Sequence, residues 1–293
     1  MIPPAPPFRK GAAAVFDLLK SILRPRGRFA ALDGLDFPRF EPHSVWLVGA
    51  GPGAPGLISL LGYHALREAD VVVHDALVSQ RLIAMTRSGA EIVFAGKRGG
   101  KPSPQQADIT VKLIEHARQG KRVLRLKGGD PFMFGRGGEE ALALVAAGIP
   151  FRIVPGISSG LGGLAYAGIP VTHRDTNQAV LFLTGHDETG GVPQAVDWAA
   201  VAHAAPVIVM FMAVKHLPSI AGKLLAAGRD PADRLAIVSQ VTLPGQQVVE
   251  TTLGAAPALA DLPTPAIVVL GPVSAYRAVL DWYAPALREN EIG

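Results

Sequence analysis

From Val45 onward the chain alternates short apolar runs with segments whose apolar residues recur at helical spacing. Val45–Ala50 reads as a buried strand, and Leu57–Arg67 has the three-to-four spacing of an amphipathic helix. Strand signals recur at Asp70–His74, Glu91–Ala95, Lys121–Lys127 and Phe151–Val154, with helices expected over Ser79–Arg87, Glu139–Ala147 and Ile157–Tyr166 between or after them. Ser103-Pro104 is a cap followed by Pro at the first helical position, opening a helix that runs to Gln119, where Gly120 stops it. This rhythm predicts an α/β fold with a mostly parallel first sheet covered by helices. The rhythm pauses around Gly168–Asp175, and a domain boundary is expected there. Beyond it, strands are expected at Ala179–Thr184, Val207–Met212, Leu235–Ser239, Gln247–Thr252 and Ala266–Leu270, with a helix over His216–Ala227. Leu243-Pro244-Gly245 is a turn signal that would make strands 235–239 and 247–252 an antiparallel hairpin, so the second sheet should be mixed. The expected division is an extension at 1–43, a first α/β domain at 44–172 and a second at 173–293. The extension opens on prolines, carries one amphipathic helix at Ala13–Leu23, ends in the basic run Arg24–Arg28 and is expected to be partly disordered.

Composition narrows the chemistry. The chain of 293 residues is 49% apolar and 18% charged, which excludes a disordered tail. It has no cysteine, so disulfides, thiolate nucleophiles and Cys-based zinc sites are excluded. Its eight histidines are scattered without an HExxH pair, so no metal is expected. The net charge of +4 is a mild bias that suits a small polyanionic substrate better than nucleic acid. Apolar runs such as Leu142–Ala147 and Pro206–Val214 fall short of the roughly 18 residues of a spanning helix, and no export signal is evident. A cytoplasmic protein with no membrane partner is expected.

In open α/β sheets ligands bind beyond the carboxyl ends of strands, so the loops there carry the candidate chemistry. After the first strand, Gly51, Gly53 and Gly56 form a GxGxxG spacing, and Asp75 ends the second strand where a ribose-binding acid would sit. Pro52 and Pro55 count against a dinucleotide, because each lacks the backbone N–H that a phosphate cradle needs. Asp75 could be a general base or could cap a turn. Lys97, Arg98 and Lys101 lie in a Gly-rich loop that could clamp carboxylates or phosphates. The most specific signal is Lys127–Glu140, which packs five glycines around Asp130, Arg136 and two aromatics. Such backbone must bend sharply or approach a ligand closely. Asp130 could meet a ligand ammonium or cap a turn. Ser158 and Ser159 place hydroxyls at a strand-to-helix junction, and Met210 or Met212 could pack on an adenine or a thioether. No GxSxG elbow or GxxxxGK[ST] loop is present.

Together these segments resemble the S-adenosylmethionine-dependent tetrapyrrole methylases, in particular the branch that C-methylates uroporphyrinogen III. The resemblance rests on Val48–Gly53, Asp70–Asp75, Gly96-Lys97-Arg98, Arg125–Phe132, Phe134–Glu140, Val154–Ile157, Tyr166–Asp175 and Thr184-Gly185-His186, and it spans nearly all of residues 45–275. It implies a two-domain tetrapyrrole methylase fold with the active-site cleft between the domains, working as a homodimer. It implies transfer of two methyl groups to C2 and C7, through precorrin-1 to precorrin-2, with S-adenosylhomocysteine as the other product. By position it implies cofactor contacts from Pro52, Gly128, Gly129, Asp130, Met133, Ser158, Ser159, Met212, Val241, Thr264, Pro265 and Ala266. Asp75 matches the proton acceptor and Lys97 the proton donor. Arg98, Lys101, Arg136, His173 and Arg174 are candidate partners for the substrate carboxylates. The chain departs from the family pattern at Ala54, Ala76, Ser158-Ser159 and Val241, where Asp, Arg, Thr-Ala and Gly are usual. Residues 1–43 are too short for the dehydrogenase domain of fused relatives, so methyl transfer alone is expected. The competing readings are a methylase of a later corrin precursor, a dinucleotide-binding oxidoreductase, and a tetrapyrrole binder without catalysis.

Overall fold

The computed structural model describes residues 35–96, 106–187 and 189–283. The expected helix at 13–23, the Ser103-Pro104 cap and the loop carrying Lys97, Arg98 and Lys101 lie outside them. Residues Phe40–Gly293 form one compact unit, and the fold below belongs to it.

The first sheet contains β1 (Ser44–Gly49), β2 (Val71–His74), β3 (Glu91–Phe94), β4 (Arg122–Lys127) and β5 (Phe151–Val154), in the order β3-β2-β4-β1-β5. Every pairing in it is parallel. Its inner strands are buried on both faces, which explains their near-continuous apolar sequences. In β1, Trp46 and Val48 join one core with Leu66, Leu82 and Leu126, while Val45 and Leu47 join another with Val73, Leu113 and Leu144. Helices Leu60–Glu68, Gln106–Arg118 and Gly137–Ala146 supply the covering layers. Ser59 starts the first of these by accepting from Gly62 N at 3.0 Å.

The chain passes to the second sheet between β5 and β6. That sheet contains β6 (Val180–Thr184), β7 (Val207–Phe211), β8 (Arg234–Ser239), β9 (Gln247–Thr252) and β10 (Ala266–Leu270), in the order β6-β7-β10-β8-β9. β6 and β7 are parallel, whereas β10 runs antiparallel to both of its neighbours and β8–β9 is the expected antiparallel hairpin. Helix Leu217–Ala226 buries Leu217, Ile220, Ala221 and Leu224, a stripe at helical spacing. A helix at Trp198–Ala204, capped by Asp197 through Ala199 N and Ala200 N, is additional to the expected set.

Two expected helices differ. The segment 79–87 holds only a short helix, Gln80–Ile83. The segment 157–166 divides into a wide π turn at Ser159–Gly163 and one α turn at Leu164–Tyr166. Tertiary packing decides the latter. A Cβ on Gly160 would lie 2.5 Å from Phe211 Cζ, and one on Gly163 would lie 2.8 Å from Val241 Cβ. The second sheet packs directly against this bare backbone, a demand that overrides propensity.

Candidate active site

The carboxyl ends of β1, β2, β4 and β5 meet loops of the second sheet around a cavity of about 590 Å³. From the first sheet it is lined by Gly51-Pro52-Gly53, Asp75, Gly128-Gly129-Asp130, Met133–Arg136 and Ser158-Ser159. From the second it is lined by Phe211-Met212, Gln240-Val241, Leu243 and Pro265–Ile267. Pro52, Asp75, Gly128, Gly129, Asp130, Met133, Arg136, Ser158, Ser159, Met212, Val241, Pro265 and Ala266 are therefore brought together. Thr264, His173 and Arg174 stand outside the lining. His173 instead stacks on Tyr276 at 4.2 Å between centroids, and its Nδ1 takes the Tyr276 hydroxyl at 2.9 Å.

Strand order explains the placement of Asp75. Because β4 separates β2 from β1, the end of β2 lies beside the β4 loop. The carboxylate accepts from Gly128 N at 3.3 Å and from Leu77 N at 3.2 Å. Asp130 lines the cavity and also caps a turn. Its oxygens accept from Phe132 N at 2.8 Å and from Gly156 N at 3.0 Å, so it shapes the β4 loop and ties it to the β5 loop. Arg136 opens helix Gly137–Ala146 with φ 59° and pairs with Glu139 at the cavity rim.

The walls leave room for a ligand to touch main chain. A Cβ on Gly129, whose φ is 66°, would meet no protein atom closer than 4.0 Å. That open space beside two glycine peptides, with Met133 and Met212 nearby, fits the sulfonium and nucleoside of S-adenosylmethionine. Four of the described residues with positive φ other than glycine, namely Phe134, Arg136, Met212 and Gln240, line this cavity. Backbone strain of this kind persists where the surroundings over-determine it, commonly at ligand sites.

Sequence reasoning missed a buried ionic cluster in the wall. Arg125 and Lys127 line the cavity from β4, yet they are 2% and 3% exposed. Both reach Glu140, which is 0% exposed, with Arg125 Nε at 3.0 Å and Lys127 Nζ at 3.1 Å. Burial, and then the Arg125 charge, push the Lys127 ammonium below the usual lysine range, while Glu140 and Asp75 oppose that shift. No local pattern joins strand residues to a glutamate on the following helix; only the alternation of cations with Leu124 and Leu126 hinted at an unusual strand.

Among the described residues no group of three His, Cys, Asp or Glu side chains could hold a metal, and no helix is long and apolar enough to cross a membrane.

A parallel sheet feeding bare glycine loops into a cleft closed by a second, mixed sheet is the architecture of one methyltransferase class. The chain belongs to the family of tetrapyrrole (corrin/porphyrin) methylases, which residues 44–257 match. It is 60% identical over 248 residues to the uroporphyrinogen-III C-methyltransferase of a Sinorhizobium species, covering 84% of this chain and 89% of that protein. It is 44% identical over 252 residues to the siroheme synthase of Tolumonas auensis, covering 86% of this chain but 53% of that protein, so it spans about half the length of such relatives. Its structure resembles the uroporphyrin-III C-methyltransferase of Thermus thermophilus solved with S-adenosylhomocysteine, with a TM-score of 0.70 and 39% identity over 79% of this chain and 99% of that one.

Proposed function

We propose that the protein methylates uroporphyrinogen III at C2 and C7, using S-adenosylmethionine and passing through precorrin-1 to precorrin-2. The observation that carries this reading is the cavity, which offers main chain at Gly128 and Gly129 on one side and the Asp75 carboxylate on another. When bound, S-adenosylmethionine supplies a sulfonium methyl that is displaced in line. The chain's part is positioning and exclusion of water, because the electron-rich pyrrole carbon is already a nucleophile. Gly128, Gly129, Met133, Ser158, Ser159, Met212 and Val241 hold the donor. Asp75, fixed by two backbone N–H groups, faces the cavity as the acceptor for the proton lost when the macrocycle rearranges. Lys97 is the proposed donor. Arg136 and the basic residues Arg98 and Lys101 meet substrate carboxylates. The protein acts as a homodimer in the cytoplasm.

The test is anaerobic incubation with S-adenosylmethionine and uroporphyrinogen III, read by mass spectrometry. The expected product is two methyl groups heavier. Folded protein that binds S-adenosylhomocysteine but leaves uroporphyrinogen III unchanged would point to a later corrin precursor as substrate. Protein that binds a dinucleotide in its place would overturn the reading.

A further inference from the structure

Thr242 stands behind the cavity wall and bonds to its framework through both its side chain and its peptide. Its flanking residues Val241 and Leu243 line the cavity, while Thr242 itself is 2% exposed and turned away from it. Its φ is 64°, a conformation that is a genuine outlier for a β-branched residue. Three hydrogen bonds hold it there. Thr242 Oγ1 accepts from Ala54 N at 2.9 Å, across 188 residues of sequence. Its own N–H donates to Gln246 Oε1 at 2.8 Å, and its carbonyl accepts from the Tyr283 hydroxyl at 3.3 Å. Gln246 in turn donates to Tyr166 O at 3.1 Å, the residue that ends the turn after Ser159–Gly163. The contact with the β1 loop is close: a Cβ on Gly53 would lie 3.0 Å from Thr242 Oγ1.

Three segments that wall the cavity, after β1, β5 and β8, are thus joined through Thr242 and its partner Gln246, neither of which lines it. Strain is retained where it fixes a functional geometry. The geometry points to Thr242 as a positioning residue that sets the spacing between the Pro52-Gly53 loop and the Val241 wall, and so the grip on the nucleoside-sulfonium donor. This rests on the methyltransferase reading above. The hydroxyl is the decisive group, because it alone crosses from the second sheet to the Ala54 amide.

The experiment compares Thr242→Val, Thr242→Ser and Thr242→Gly in the full chain. Valine keeps the shape and removes the hydroxyl, serine keeps the hydroxyl, and glycine removes it while adopting the same φ without strain. Calorimetric titration with S-adenosylhomocysteine should show weakening of about tenfold for valine and glycine, with serine within about threefold of the parent. Steady-state assays should show the loss in KM for S-adenosylmethionine rather than in kcat. Thr242→Gly keeps the test decisive should Thr242→Val misfold. Parent-like affinity in the glycine or valine variant, equal loss in serine and valine, or a fall confined to kcat would overturn the inference. Absence of S-adenosylhomocysteine binding in the parent protein would instead overturn the methyltransferase reading.

Discussion

The Arg125–Glu140–Lys127 cluster makes an asymmetric prediction about stability. Glu140 is fully buried and is held by two cations at 3.0 and 3.1 Å. Glu140→Gln keeps the volume and leaves both cations without their counter-charge. Breaking a buried ion pair from one side costs about 3–5 kcal/mol, which for a chain of this size lowers Tm by on the order of 10 °C. Lys127→Met leaves Arg125 and Glu140 as a balanced pair and removes an ammonium whose burial is the largest influence on its titration. What is lost is one hydrogen bond to Glu140, so the cost should be at most about 1 kcal/mol. The pH dependence has a definite sign. The folded pKa of Lys127 lies below that of the unfolded chain, so between the two values the unfolded state binds more protons and stability rises with pH. Holding the charged lysine therefore costs stability below the folded pKa, and the cost is relieved as pH rises through the folded pKa towards the free lysine range. Lys127→Met lacks that relief, so its stability relative to the parent should fall as pH is raised towards the free lysine range. Thermal and urea unfolding followed by circular dichroism measures both variants. Equal losses for Lys127→Met and Glu140→Gln, or a gap that stays flat with pH, would refute this account of the cluster.

Other outcomes follow from the same geometry. Asp75→Asn retains an oxygen for Leu77 N or Gly128 N, so it should fold and bind S-adenosylhomocysteine normally while turnover falls by about 10²–10⁴; unchanged turnover removes Asp75 as the proton acceptor. Gly129→Ala places a methyl in the open space at φ 66° and should cost about 1–2 kcal/mol of stability, but reduce cofactor affinity out of proportion, as calorimetry would show. The Arg122 guanidinium, helped by Arg87, holds the Asp70 carboxyl far below the usual carboxylate range. Asp70→Asn should therefore cost about 1.5–3 kcal/mol at neutral pH. That stability is present above the ordinary carboxylate pKa and is lost as pH falls towards the folded one, so the gap between parent and variant should close on acidification. A pH-independent gap in Tm would argue against the ion pairs as its source.

The strands were legible because burial on both faces leaves apolar runs that no surface segment would carry, as in β1 and β7. The loops were legible because glycine density marks backbone in close contact. What was not legible depends on partners distant in sequence. Arg125 and Lys127 alternate with Leu124 and Leu126 and, on β4 alone, suggest a half-exposed strand; only Glu140 on the next helix permits their burial. The π turn at Ser159–Gly163 is set by Phe211 and Val241 from the second sheet, which no window around residue 160 contains. His173 and Arg174 matched a motif but sit where Tyr276 and Asn177 hold the His173 segment, away from the cavity lining.

The spacing Gly51, Gly53, Gly56 also shows how one glycine pattern supports unlike chemistry. A pyrophosphate site needs free N–H groups at the start of a helix that follows the first strand directly. Here Gly51 N donates to Gly129 O at 3.2 Å, Ala54 N donates to Thr242 Oγ1 at 2.9 Å, and Pro52 and Pro55 have no proton to give. The helix starts only at Leu60, after a separate turn at Pro55–Leu57. In the dinucleotide fold β1 and β2 are neighbours, which brings the acid at the end of β2 to the ribose. With β4 between them, Asp75 is instead tied to Gly128 on the β4 loop. Gly51 and Gly53 therefore serve close packing of loops, Gly51 bridged to Gly129 and Gly53 against Thr242, rather than an anion. A loop that spends its Gly51 and Ala54 donors internally and carries two prolines offers no continuous run of N–H groups for a pyrophosphate to bind.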